Sequence, residues 1–230
     1  MEEMKAMQDL QGYFTKQQIA DIISNAPTEE LRLLFELLKH GRRITEILGR
    51  QEYTHRNVNG KATILDTNTD KKIVIEQKEK LYPAVQGLRP NDIDKEKRLV
   101  EFRILKKRES NNKRTSHLFT LKDSTYNNLL GYIHKNNIQP KDTIFKLNRF
   151  QASYQLKKIC KGLDILKVGK KAPHLHNFRH SFAVNLLSEI NDPAAIVLVK
   201  DALCHSNINI TSGYLQFSQE KMREIINKAL

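Results

Sequence analysis

Apolar side chains along this chain recur mostly at helical spacing, and alternation is confined to two short regions. Residues 1–13 are polar and Met-rich without a clear period, and read as a linker or a frayed lead-in helix. A helix is predicted from Thr15. Thr15 and Gln18 stand at capping-box spacing, and Phe14 and Ile19 stand where a hydrophobic staple would close. Pro27 and Thr28 open a second helix with Glu29 and Glu30 in its first turn, where the helix dipole favours acids. Leu31, Leu34, Phe35 and Leu38 fall on one face of it, Gly41 ends it, and Ile44–Leu48 form a short third helix.

Residues 49–86 are polar and rich in Asn, Thr and Lys, with β-like runs at Ala62–Leu65 and Ile73–Ile75, which reads as an excursion built on a hairpin. Val100, Phe102 and Ile104 then alternate, Lys106–Ser116 turns, and Leu118–Leu121 returns as a second strand. Helices are predicted at 124–135, 149–162, 178–190, 193–203 and 219–229. Asn148, Asp192 and Ser218 stand at N-caps, and Pro193 at a first helical position. No internal repeat or low-complexity tract interrupts the pattern. The expected class is mainly α with a small antiparallel β-sheet (α+β).

Composition narrows the partners. At 230 residues and 39% hydrophobic content the chain can form one large domain with a real core. Folding at that size hides about 70% of the surface of the extended chain. Thirty-nine Lys and Arg against 26 Asp and Glu leave a net charge of +13. Such a surplus favours a polyanion, because neutralised phosphates release counterions. Charge alone does not separate DNA from RNA or from an acidic membrane, but no aromatic-interleaved RNA-binding signature is present. Glu2 and Glu3 with no apolar run behind them exclude a signal-peptide pattern, and no stretch approaches the roughly 18 apolar residues of a membrane span. Cys160 and Cys204 form neither a disulfide framework nor a paired zinc motif, so a reducing cytoplasm is expected.

The chemistry gathers in a few runs. Gly41-Arg42-Arg43-Ile44-Thr45-Glu46 opens the third helix, and Glu46 lies about one turn after Arg43, where it can orient the guanidinium. His176-Asn177-Phe178-Arg179-His180 precedes a helix striped by Phe182, Ala183, Leu186 and Leu187. Leu203-Cys204-His205-Ser206 follows, and Tyr214 comes nine residues after His205. Arginine forks and imidazoles suit a crowded phosphorane, a base can take a phenol proton, and a lysine can protonate a leaving oxygen. Taken singly, each has a blander reading: a surface arginine, a packing tyrosine, a solvated lysine. His174, His176 and His180 lack a carboxylate or cysteine at ligand spacing, so zinc is not expected.

In order and spacing, HGRRITE (40–46), ILKKRES (104–110), HNFRH (176–180) and LCHSNINITSGY (203–214) resemble the tyrosine recombinases of phage integrase and Xer type. The resemblance covers nearly the whole chain, from about Phe14 to Leu230, and implies the catalytic-domain fold of that family. It implies that Arg43 and Arg179 hold the non-bridging oxygens of a DNA phosphate. His176 then assists proton transfer at the tyrosine, and His205 donates a hydrogen bond to the phosphate. Lys107, or its neighbour Lys106, is the hairpin general acid, and Tyr214 is the nucleophile that forms a 3′-phosphotyrosyl bond. Glu46 and His180 support the site. No metal or other cofactor and no ATP are implied.

The expected partner is double-stranded DNA, bound by a tetramer on two duplexes with the last helix docked on a neighbour, in the cytoplasm at the nucleoid. Cys204 stands where the family has glycine, Phe178 where it has leucine and His40 where it has threonine, all changes of shape beside the site. Residues 49–86 form an insertion relative to the family pattern, and the helical N-terminal domain that clamps the other face of DNA is expected to be absent. Two rival functions share the fold: a catalytically silent DNA-binding regulator, and DNA relaxation of the type IB topoisomerase kind.

Overall fold

The computed structural model describes residues 12–51, 84–103, 116–189 and 195–204, together with the backbone of four strands between 53 and 82. Helix α1 (Lys16–Ser24) starts where the capping box places it: the Thr15 hydroxyl accepts from the Gln18 amide at 3.0 Å, and the Gln18 side chain accepts from the Thr15 amide at 3.0 Å. Helix α2 (Glu29–Lys39) is capped by Thr28, whose hydroxyl accepts from the Leu31 amide. Leu33 and Leu37 are buried along with the predicted face, so α2 is central rather than a surface helix. It packs against α1, against α4 (Asp123–Lys135) and against α6 (His176–Glu189). Phe178 of α6 seals that junction, stacked on Phe35 at 5.5 Å between ring centroids and edge-on to Phe14 at 5.2 Å.

The 49–86 region holds four strands. β1 (Tyr53–His55) pairs with β4 (Lys80–Tyr82), and β2 (Lys61–Leu65) pairs with β3 (Lys72–Glu76), both antiparallel. The two ladders are nested, and a bridge between Arg50 and Val85 closes their root. The second sheet runs β5 (Ile93–Asp94), β6 (Leu99–Arg103), β7 (Ser116–Thr120), antiparallel throughout, with Val100 opposite Phe119 and Phe102 opposite His117. Val100 and Phe102 are buried, as their alternation requires. β5 escaped the pattern because two residues carry no period. Its place is fixed by Asp92, whose two carboxylate oxygens accept a forked pair of bonds from Arg103 at 2.8 and 3.1 Å.

Three further helices follow α3 (Ile44–Leu48) and α4: α5 (Arg149–Gly162), α6 and α7 (Ala195–Ala202). Asn148 caps α5 as expected, accepting from the amides of Phe150 and Gln151. One boundary needs correcting. The HNFRH run does not precede α6; it forms the first turns of that helix, which starts at His176 rather than at 178. The Asn177 side chain accepts from the His174 amide at 2.7 Å and so folds the approach to the helix over its start. The α6 stripe packs with Ala195, Val199 and Leu203 into a second apolar cluster. The predicted caps Asp192 and Ser218, Pro193 and the helix at 219–229 lie outside the described residues.

Gly49 sits at φ 71 and ψ −167, a conformation almost reserved for glycine. A Cβ there would meet the Val85 carbonyl oxygen at 2.4 Å and the Gly87 nitrogen at 2.5 Å. Gly49→Ala is therefore expected to destabilise by about 2 kcal/mol or more, lowering the thermal midpoint. Gly131→Ala, on α4 with nothing near the added carbon, should instead be neutral or stabilising by up to about 1 kcal/mol. Thermal melts of the two variants check both signs.

Candidate active site

The loop between α2 and α3 carries the first part of the site. Arg43 is the N-cap of α3, and Glu46 at the third helical position serves it twice. One carboxylate oxygen accepts from the Arg43 guanidinium at 2.6 Å and the other from the Arg43 amide at 3.0 Å. Glu46 is buried, while Arg43 keeps part of its side chain open. Arg43 and His176 share a hollow of about 180 Å³, lined also by Arg42, Ile44, Thr45, Arg149 and Leu175. His176, the first residue of α6, presents an exposed edge there.

Arg179 lies one turn further along α6 and is buried. Its guanidinium donates to the Gly41 carbonyl at 2.7 Å and to the Leu203 carbonyl. The first and third motifs are thus brought together, and the turn that leads into the fourth is tied to both. His180 sets its ring edge-on to that of His176, 4.7 Å between centroids. His40 is buried and bridges two elements: Nδ1 contacts the Glu36 carbonyl at 2.8 Å, and Nε2 accepts from the Lys122 amide at 3.0 Å. Cys204 ends the described part of the last motif at φ 50, in the left-handed region that glycine favours. Lys106, Lys107, His205 and Tyr214 lie outside the described residues.

Two arginines near the hollow were not singled out from the sequence. Arg42 sits beside Arg43 in the chain and carries no mark that distinguishes a buried guanidinium from a surface one. Arg149 is the first residue of α5, and its helix start was legible, but no local pattern says that this end of α5 opens beside His176.

Residues 82–221 match the family model described as the phage integrase family, more than half of the chain. The chain belongs to that family. Among its relatives, a tyrosine recombinase of Pseudothermotoga lettingae is 42% identical over 62 residues, 26% of this chain and 20% of that protein. Tyrosine recombinase XerC of Leptospira interrogans is 43% identical over 54 residues, 24% of this chain and 16% of that one. These matches span a fifth or less of the relatives' length.

Among solved structures, XerA recombinase aligns at TM-score 0.60 with 15% identity, covering 96% of this chain and 64% of that one. XerH site-specific recombinase bound to difH substrate aligns at 0.55 with 16% identity, covering 94% and 53%. The Tn1549 transposon integrase in complex with transposon right end DNA aligns at 0.54 with 14% identity, covering 93% and 66%. At such identities the likeness is one of fold, and the fold is that of the tyrosine recombinase catalytic domain.

Within this integrase-family site the charges are lopsided. Arg42, Arg43 and Arg149 line the hollow, Arg179 is buried next to it on α6, and Glu46 is the buried carboxylate at this place among the described residues. Both imidazoles respond. Burial of its inner edge first, then the charges of His180, Arg179, His174 and Arg43, lower the pKa of the partly exposed His176. Burial first, then His174 and Arg179, lower that of His180 to about 4. Both rings are neutral near pH 7, and an anion entering the hollow would offset the cations and raise the basicity of His176.

A histidine whose folded pKa lies below its unfolded value of about 6.5 takes up its proton more readily in the unfolded chain. Stability from the more enclosed His180 is present above about pH 6.5 and falls as the pH drops toward its folded value of about 4. The thermal midpoint should therefore decline between about pH 7.5 and about pH 5, and His180→Gln should flatten that slope. Melts across this range check it.

Proposed function

We propose that this chain is the catalytic domain of a site-specific DNA recombinase that cuts and rejoins strands through Tyr214. The observation that carries the reading is the shared hollow of Arg43 and His176, with Arg179 beneath it and bonded to the turn that leads into His205. The Tyr214 oxygen attacks the scissile phosphorus while Arg43 and Arg179 balance the charge on the non-bridging oxygens. His176 takes part in removing the phenol proton, and His205 donates to the phosphate. The bond to the 5′ oxygen breaks, and that oxygen takes a proton from Lys107, or from Lys106 beside it. The resulting 3′-phosphotyrosyl ester conserves the phosphodiester, so a 5′ hydroxyl from a partner strand can reverse the step without ATP. Glu46 and His180 hold Arg43 and His176 in place.

The net charge of +13 and the nature of the XerH and Tn1549 complexes support duplex DNA as the substrate. Exchange between two duplexes calls for a tetramer, which is the assembly proposed here.

The decisive experiment selects a bound duplex from a random pool and nicks it near the cleavage point so that the cut strand cannot rejoin. Wild type should accumulate a covalent protein–DNA adduct, and Tyr214→Phe should form none while still shifting the DNA. A shift without an adduct in wild type would leave only the DNA-binding regulator, and relaxation of supercoils without strand exchange would favour the topoisomerase. Adduct formation should survive excess EDTA. DNA affinity should fall by about 10³-fold or more as salt rises from about 50 to about 200 mM, if six or more phosphates are neutralised.

A further inference from the structure

Arg42 is only 2% exposed, and the buried carboxylate that acts on it, Glu46, is bonded to Arg43 rather than to Arg42 itself. Its guanidinium rests over the Phe119 ring at 4.1 Å from the centroid, with Phe102 at 5.4 Å. It contacts His117 Nδ1 at 3.3 Å, and donates to the carbonyls of His40, at 3.4 Å, and of Ala202. The Cys204 thiol lies beside it, and burial lowers the pKa of the Arg42 guanidinium. Enclosing a guanidinium without a carboxylate bonded to it is costly, and apolar residues of similar volume in such places are often neutral or more stable. A leucine could fill this space. It could not hold a carbonyl.

The contacts of Arg42 fall on three segments remote in sequence. The first is its own loop, where Arg43 is the next residue. The second is β7, the first described strand after Lys106 and Lys107 in the chain. The third is the C-terminal end of α7, where Arg42 holds the Ala202 carbonyl and Arg179 holds that of Leu203. The last carbonyls of a helix have no partner within it, and a cation suits that end. His205 comes three residues after Ala202.

We infer that Arg42 is a positioning residue, a clamp that sets the β6–β7 hairpin and the end of α7 against the Arg43 loop. The inference rests on the recombinase reading and adds to it a residue that touches no reacting atom. Hydrophobic packing alone would bring the three segments together, but it lacks direction. The guanidinium fork adds that direction, because each of its bonds is satisfied only at one placement of the neighbouring backbone.

The test uses the full chain with Arg42→Leu and Arg42→Gln, on the nicked duplex already described. The Leu variant is expected to melt at or above the wild-type temperature. Its adduct should form about 10²-fold more slowly at saturating DNA, the scale of effect that a misplacement of about 1 Å produces. The Gln variant keeps an amide N–H donor on a shorter side chain, and should recover part of that rate. A Leu variant that folds and cleaves at the wild-type rate overturns the inference. So does a loss of rate, in either variant, no larger than the loss of folded protein. Failure of wild type to form any adduct is a different result: it overturns the recombinase reading, whereas a silent Leu variant beside an active wild type overturns only the clamp.

Discussion

The buried guanidinium of Arg179 joins two carbonyls from opposite ends of the chain, that of Gly41 and that of Leu203. Most other features of the site follow from this one contact. It places the end of α2 against the end of α7, and so brings the Arg43 loop alongside the approach to His205. The backbone of α6 holds Arg179 for this task by an adjacent anchor. Phe178, one residue earlier and about 100° around the helix, is buried between Phe14 and Phe35. One helical turn thus has a core side and a site side, and the core side fixes the rotation of the other.

Convergence of this kind has an electrostatic cost. Four guanidiniums lie in or beside one hollow of about 180 Å³, and the buried carboxylate that faces them is engaged with Arg43. The protein limits the repulsion in two ways. It turns Arg42 and Arg179 onto backbone carbonyls and aromatic faces, and it keeps His176 and His180 neutral. What remains is an excess of positive potential that an entering phosphate would neutralise. A site of this design is less comfortable empty than occupied, and binding energy is available to organise the reacting groups.

Much of the architecture was legible because its signals are local. The Thr15–Gln18 capping box, the Asn148 cap and the alternation through Val100 and Phe102 each specify an element within a few residues, and each element stands where expected. The start of α6 was misplaced by two residues because the HNFRH run lacks a capping side chain of its own at its first position; Asn177 folds the approach over it instead. The pairing of Arg43 with Glu46 was legible for the same reason of local spacing. The fate of Arg42 was not, because a buried guanidinium becomes distinct from an exposed one only once Phe119, His117 and Ala202 have been brought around it from distant parts of the chain. The parts assigned to Lys106, Lys107, His205 and Tyr214 rest on motif order, since these residues lie outside those described.

The two turns that Arg179 joins show how tightly the chain must close. Gly41, at φ 77, lies so near α6 and α7 that an added Cβ would stand 2.7 Å from both Phe182 and Leu203 side chains. That close approach lets the Gly41 and Leu203 carbonyls reach one guanidinium. On the opposite turn, Cys204 holds φ 50 with its amide donating to the Asp201 carbonyl at 3.0 Å, a left-handed helix end of the kind usually given to glycine. A side chain in that conformation costs about 1–2 kcal/mol. The Cβ imposes this strain, and the thiol it carries lies beside Arg42. The two residues that look most out of place here, a buried arginine and a left-handed cysteine, are therefore neighbours, and each helps to explain the other. The cysteine sets its thiol beside a guanidinium whose neighbouring carboxylate, Glu46, is bonded to Arg43, and the arginine secures the helix end that the strained turn must continue.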